Sequence, residues 1–127
     1  MDLLLDTHTL IWFFNGDLLL SEGAKRAIVE TRHRKFVSMA SVWEVAIKIS
    51  LNKLAFDGKT RGFLELIDNN GFELLVIDKE YMLEVENLPF IHRDPFDRLL
   101  VATAISEKMH IVTVDANIQK YPVNCIW

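Results

Sequence analysis

Six carboxylates stand where an acid either caps a helix or belongs to a site: Asp6, Glu44, Asp78, Asp94, Asp97 and Asp115. Asp6 lies directly behind the apolar run of "LLLDTHTLIW", and Asp115 closes "IVTVD". Asp78 ends "FELLVID", Glu44 sits inside "SVWEVAIK", and Asp94 and Asp97 share "HRDPFDRLL". A set of this kind offers oxygen donors alone. Mg²⁺ and Mn²⁺ prefer carboxylates and water, and they pair naturally with phosphates. Left uncompensated, so many like charges in one place would repel.

Each acid also has an ordinary structural role open to it. Asp6 and Asp115 suit helix N-caps, because aspartate accepts well from the free N–H groups there. Glu44 suits a capping box with Ser41, or an i,i+4 pair with Lys48. Asp94 precedes Pro95, and proline favours the first helical position, so Asp94 is assigned to the cap. Asp97 then falls in the first turn, where the helix dipole favours an acid. Yet it heads a helix that is otherwise nearly all apolar. Asp78 suits a cap for the helix of Glu80 to Leu88, and spacing alone does not rank it below Asp115.

Competing chemistries lack their residues. No Gly-rich phosphate loop and no G-x-G-x-x-G occurs, and no G-x-S-x-G elbow. The single cysteine, Cys125, forms no internal disulfide and no metal-ligand pattern. The four histidines are scattered; His8 and His92 lie near acids but without ligand spacing. "DTHT" resembles the D-x-D of phosphoaspartate phosphatases, but His8 replaces the second acid.

Elements that alternate in type must position these residues. Asp2 to Asp6 reads as a buried strand and Thr7 to Phe14 as an apolar helix stopped by "NGD". A helix over Ser21 to Thr31 follows, then a brief strand at Phe36 to Ser38. "SVWEVAIKISLNKL" is an amphipathic helix with Val42, Val45, Ala46 and Ile49 on one face. Arg61 to Asn69 reads as a helix, "FELLVID" as a strand, and Glu80 to Leu88 and Pro95 to Lys108 as helices. "IVTVD" and Val123 to Ile126 supply the last strands. The alternation predicts an α/β domain with a mainly parallel sheet, in which sites form beyond the carboxyl ends of the strands.

The chain has 127 residues, half of them hydrophobic, and no linker, repeat or low-complexity tract, which predicts a single domain over 1–127. No apolar run reaches the length of a membrane span, and the start, bearing Asp2 and Asp6, lacks the basic lead of a signal peptide. A reduced, cytoplasmic protein is expected. The net charge is −4, and four ionised carboxylates in one site account for that whole excess. Basic residues gather in "TRHRK" (Thr31 to Lys35) and in the group His92, Arg93 and Arg98. Nucleic acid is permitted by this distribution but not implied by it.

"LLLDTHTLIW", "SVWEVAIK", "HRDPFDRLLVATA" and "IVTVD", in this order across nearly the whole chain, resemble the PIN-domain ribonucleases. The likeness is greatest to VapC-like toxins of VapBC toxin–antitoxin pairs. The resemblance implies a three-layer fold with a central sheet of about four to five strands. It implies Asp6, Glu44, Asp97 and Asp115 as metal-binding and catalytic carboxylates, gives Asp94 the helix start, and gives Asp78 no site role. Thr113 falls where the family often places a small hydroxyl residue. The implied activity is Mg²⁺- or Mn²⁺-dependent endoribonuclease cleavage. The implied partners are an RNA substrate, a VapB-like antitoxin whose C-terminal segment covers the site, and a second copy of the chain, within a larger hetero-oligomer.

In that reading Asp6 and Asp97 hold the metal most directly, while Glu44 and Asp115 complete the pocket. Arg93, Arg98 or the "TRHRK" run would hold flanking phosphates, and exposed side chains of "LIWFF" and "DLLL" would meet a protein partner. Three rivals stay open: a metal-dependent phosphatase, a DNA nuclease, and a non-catalytic interaction module whose acids are caps and salt bridges.

Overall fold

Short apolar runs joined by helices build a sheet with helices on both faces. The computed structural model describes all 127 residues. Strands β1 (Asp2–Leu5), β2 (Arg34–Ser38), β3 (Glu73–Leu75), β4 (His110–Val112) and β5 (Cys125–Ile126) lie in the order β3-β2-β1-β4-β5. Every neighbouring pair is parallel. Parallel neighbours need long crossovers. Helices α1 (Thr7–Asn15) and α2 (Glu22–Val29) join β1 to β2, and α3 (Met39–Ser50) and α4 (Lys59–Asn69) join β2 to β3. Helices α5 (Lys79–Asn87) and α6 (Pro95–Glu107) carry the chain back across the sheet to β4.

Alternation along β1 divides the core. Leu3 and Leu5 pack with Leu10, Ile28, Val45 and Phe63 on the side of α1 to α4. Leu4 packs with Leu100, Val101 and Ile111 on the side of α6. Successive side chains point to opposite faces of a strand, so a strand covered on both sides must be apolar throughout. No helix is long and apolar enough to cross a membrane.

Several element limits differ from the sequence reading for local reasons. Ser38, rather than a later residue, caps α3 by accepting from the Ala40 N–H. Ser41 therefore lies within the helix, and the capping box with Glu44 does not form. Strand β2 begins at Arg34, whose guanidinium bonds Asp2 on the paired strand at 2.7 and 3.0 Å. Strand β3 stops at Leu75 because its neighbour β2 ends opposite, at Ser38, leaving Val76 and Ile77 exposed. Helix α6 ends at Glu107, with Lys108 left-handed at φ 57°.

The topology locates a crevice. From β1 the chain builds outward through β2 to β3, then returns to place β4 on the other side of β1. Connections leave β1 and β4 toward different sides, which opens a gap at their carboxyl ends. Asp6 follows β1 there, and Thr113 and Asp115 follow β4.

Candidate active site

Asp6 occupies the N-cap position of α1, yet its side chain makes no capping bond. Its backbone N–H instead donates to the Val112 carbonyl at 3.2 Å, and its Oδ2 accepts from Thr113 Oγ1 at 2.7 Å. Thr113 Oγ1 in turn accepts the Asp115 N–H at 3.0 Å, which leaves its proton for Asp6. Asp6 is only 6% exposed. Burial pushes its carboxyl above the usual range, and the charges of Asp115 and Glu44 add to that; the Thr113 bond and His8 oppose it. A cap seeks backbone donors at a wet helix end. Asp6 is sunk among other acids.

The other three acids arrive from separate elements. Asp115 Oδ1 accepts the N–H groups of Asn117 (2.8 Å) and Ile118 (3.0 Å), opening the 3-10 turn at Ile118–Lys120. Glu44, buried in α3, meets Lys48 Nζ through Oε2 at 2.9 Å. Asp97, in the first turn of α6, is bonded through Oδ2 to His92 Nε2 at 3.0 Å. Burial is the chief cause that pushes Asp97 up to about 6; the His92 bond opposes, while Asp94, Asp6 and Asp115 add repulsion. Asp6 thus lies within reach of the charges of Asp115 and Glu44, and Asp97 within reach of those of Asp6 and Asp115. In each of the four acids, a single oxygen bonds within the chain and the other has no partner there. For Asp6 that free atom, Oδ1, still reaches solvent.

The remaining acids keep structural roles. Asp94 Oδ1 accepts from the N–H groups of Phe96 and Asp97 at 2.9 and 3.1 Å, ahead of Pro95 at the helix start. Asp78 is exposed and caps α5 through the Glu80 N–H.

The basic residues depart from expectation. Arg98 is 8% exposed and gives its N–H groups to the carbonyls of Pro89 and Val85 and to the Tyr121 hydroxyl. It is a buried tie and is not free for phosphate. The "TRHRK" run enters β2 at its amino end, about 13 Å along the strand from the site at roughly 3.3 Å per residue. Arg32 and Arg34 are also occupied there by Glu30 and Asp2. His92 is the member of these groups bonded to a site acid, and Arg93, exposed and without an acidic partner, lies next to the Asp94 cap in the chain. Sequence reading missed Thr7, which donates to Ser41 Oγ at 2.9 Å and links the helices bearing Asp6 and Glu44. It also missed Tyr121, which nothing in its local sequence marks.

No group of three or more His, Cys, Asp or Glu side chains forms a ready-made coordination set. The donor chemistry nevertheless fits Mg²⁺ or Mn²⁺. All the site's free donors are carboxylate oxygens, and Mg²⁺ keeps several waters and takes one or two carboxylates rather than a protein cage. Burial also pushes the Cys125 thiol up, away from nucleophilic use.

No curated protein sequence matches the chain significantly. Among solved structures, the chain is similar to VapBC2 from Rickettsia felis bound to a DNA fragment from their promoter. That likeness has a TM-score of 0.75 and 14% identity, covering 98% of this chain and 97% of that one. DNA-bound VapBC from Salmonella typhimurium matches with a TM-score of 0.67 and 17% identity over 98% and 96%. The PIN domain endonuclease Utp24 matches with a TM-score of 0.53 and 17% identity over 93% and 74%. At such identities the likeness is one of fold. The PIN domain family model matches residues 3–124, nearly the whole length and all four acids. The chain belongs to the PIN-domain family.

Proposed function

We propose that the chain is a metal-dependent endoribonuclease acting as the toxin of a VapBC-type pair, with Asp6, Glu44, Asp97 and Asp115 as its metal-binding and catalytic carboxylates. One observation carries the reading: four acids meet at the β1/β4 switch point of a PIN fold, each with one oxygen unspent. A bound Mg²⁺ or Mn²⁺ supplies stabilisation of phosphate charge and a more acidic water. Asp6 and Asp97 would hold it most directly, with Thr113 and His92 fixing their Oδ2 atoms and leaving the Oδ1 atoms unbonded in the chain. Glu44 and Asp115 complete the pocket, and a carboxylate takes the proton of the attacking water. Arg93 holds a flanking phosphate, which a guanidinium fork fits.

The similar VapBC structures, and a toxin-antitoxin complex from Klebsiella pneumoniae at 19% identity and a TM-score of 0.62, support a VapB-like antitoxin as partner. Leu18 and Leu19, 99% and 63% exposed, give it an apolar foothold. The homodimer contact is assigned to an exposed apolar surface where Trp43 and Met82 stand 59% and 46% exposed. There Trp43, Met82, Val85, Pro95, Phe96 and Leu99 line one recess. Antitoxin-free protein incubated with total RNA in Mg²⁺, Mn²⁺ or EDTA, beside Asp6→Asn, tests the activity. Discrete metal-dependent products that vanish in the variant are expected. Parallel single-stranded DNA and phosphomonoester substrates separate the nuclease and phosphatase rivals. Identical traces from both proteins in every condition refute the reading in favour of a non-catalytic module.

A further inference from the structure

We infer that His92, locked by Tyr121 and Arg98, is a positioning residue that fixes Asp97 for metal binding; the inference rests on the acid cluster being a metal site. The direction of each hydrogen bond follows from what its atoms can do. Arg98 only donates, and its Nη1 gives to Pro89 O at 3.1 Å and to the Tyr121 hydroxyl at 3.0 Å. The His92 backbone N–H points at the same hydroxyl at 3.4 Å. With its lone pairs so used, the Tyr121 O–H donates its proton, and His92 Nδ1 lies 2.8 Å away to accept it. A neutral His92 then carries its proton on Nε2, facing Asp97 Oδ2 at 3.0 Å.

Four residues thus form one chain of donors running from Arg98 through Tyr121 and His92 to Asp97. The opposite tautomer would set a nitrogen lone pair against the carboxylate. The positive end of the chain is buried and the pair at its other end is largely so: Arg98 is 8% exposed, and the His92 and Asp97 side chains 13% and 18%. Low local dielectric strengthens each link and polarises the next. Arg98 is also held from above by the Phe90 ring, 4.8 Å from its guanidinium carbon. The chain therefore ties the loop before α6 and the segment after the 3-10 turn to a single carboxylate oxygen. That leaves Asp97 Oδ1 without a bond in the chain, as the Thr113 bond leaves Asp6 Oδ1. Outer groups of this kind commonly change metal affinity about 10–100-fold when lost.

The test combines histidine ¹⁵N NMR in EDTA with Mn²⁺ titration followed by EPR, using wild type, Tyr121→Phe, His92→Ala, His92→Gln and Asp6→Asn. Wild-type His92 is expected as the Nε2–H tautomer, and Tyr121→Phe, which keeps the ring, is expected to lose that preference. His92→Ala and Tyr121→Phe should bind Mn²⁺ about tenfold more weakly. His92→Gln, whose amide can still donate to Asp97, should stay nearer wild type than His92→Ala. A wild-type His92 whose neutral ring carries its proton on Nδ1 overturns the inference. So does unchanged Mn²⁺ affinity in His92→Ala while Asp6→Asn loses it, and that pattern leaves the metal site standing. Wild type that binds no Mn²⁺ overturns the metal reading itself, and this inference with it.

Discussion

Replacing Asp97 by asparagine removes a charge that the folded state holds at a cost. Burial, with repulsion from Asp94, Asp6 and Asp115, moves this carboxyl from 3.8 to about 6. The folded protein therefore binds the proton more tightly than the unfolded chain does. Between those two values the native state carries more protons, so stability falls as pH rises through the window. Above about pH 6 the penalty is complete. At about 1.4 kcal/mol per pH unit its ceiling is about 3 kcal/mol. The α6 dipole works the other way, because an acid in the first turn gains about 0.3–1 kcal/mol. Residual screening at a side chain that is 18% exposed trims the penalty further. Asp97→Asn should then be more stable than wild type by about 1–2 kcal/mol at pH 7.5 without metal. For a domain of this size that is about 4–8 °C in Tm. At pH 4.5 the same linkage leaves only about a third of the gain. Urea unfolding of both proteins in EDTA at the two pH values measures it. A variant equally or less stable at pH 7.5, or a difference that ignores pH, refutes the argument. Asp97 would then be an ordinary first-turn acid.

Other perturbations test separate links. Asp6→Asn should raise metal-free stability at pH 7.5, since burial and neighbouring acids push that carboxyl up. It should also abolish the stabilisation of about 2.7 kcal/mol that wild type gains from Mn²⁺ at a hundred times Kd, read from melts with and without metal. Arg98→Ala removes three side-chain hydrogen bonds and the guanidinium packed on the Phe90 ring, and should cost roughly 2–4 kcal/mol in urea unfolding. Arg93→Glu should raise KM for RNA with kcat unchanged, whereas reversing Arg32 and Lys35, at the far end of β2, should change neither in a steady-state cleavage assay. Trp43→Glu places a charge on the apolar recess beside α5 and should convert the proposed dimer to monomer in light scattering.

Residues at strand ends were legible in the sequence because the runs preceding them are apolar on both faces. What the spacing could not supply was the order of the strands. Asp78 and Asp115 follow similar runs and open similar turns, yet β4 lies against β1 while β3 is the sheet edge, beyond β2. Periodicity carries no record of which strands pair, so the two acids looked equivalent until the family resemblance separated them. Asp6 shows the converse. Its N-cap position was read correctly, but the side chain turns from the helix to Thr113, a residue 107 positions away. Arg98 did leave a sign, being a lone cation among the apolar residues of α6. Such a residue is either exposed or tied, and two carbonyls and a tyrosine hydroxyl tie it.

The distribution of charge follows from the same topology. Because all strands run one way, every residue just past a strand falls on one edge and every residue just before a strand on the other. The acids lie at the first edge and "TRHRK" at the second, so the run with the most basic residues cannot neutralise the site. Near the acids the compensating groups are few: Lys48 on Glu44, His8 near Asp6, and the His92–Tyr121–Arg98 chain on Asp97. An edge built this way repels phosphate until a cation enters. If the proposed function holds, these acids would need a bound cation to offset their charge before an RNA phosphate could approach.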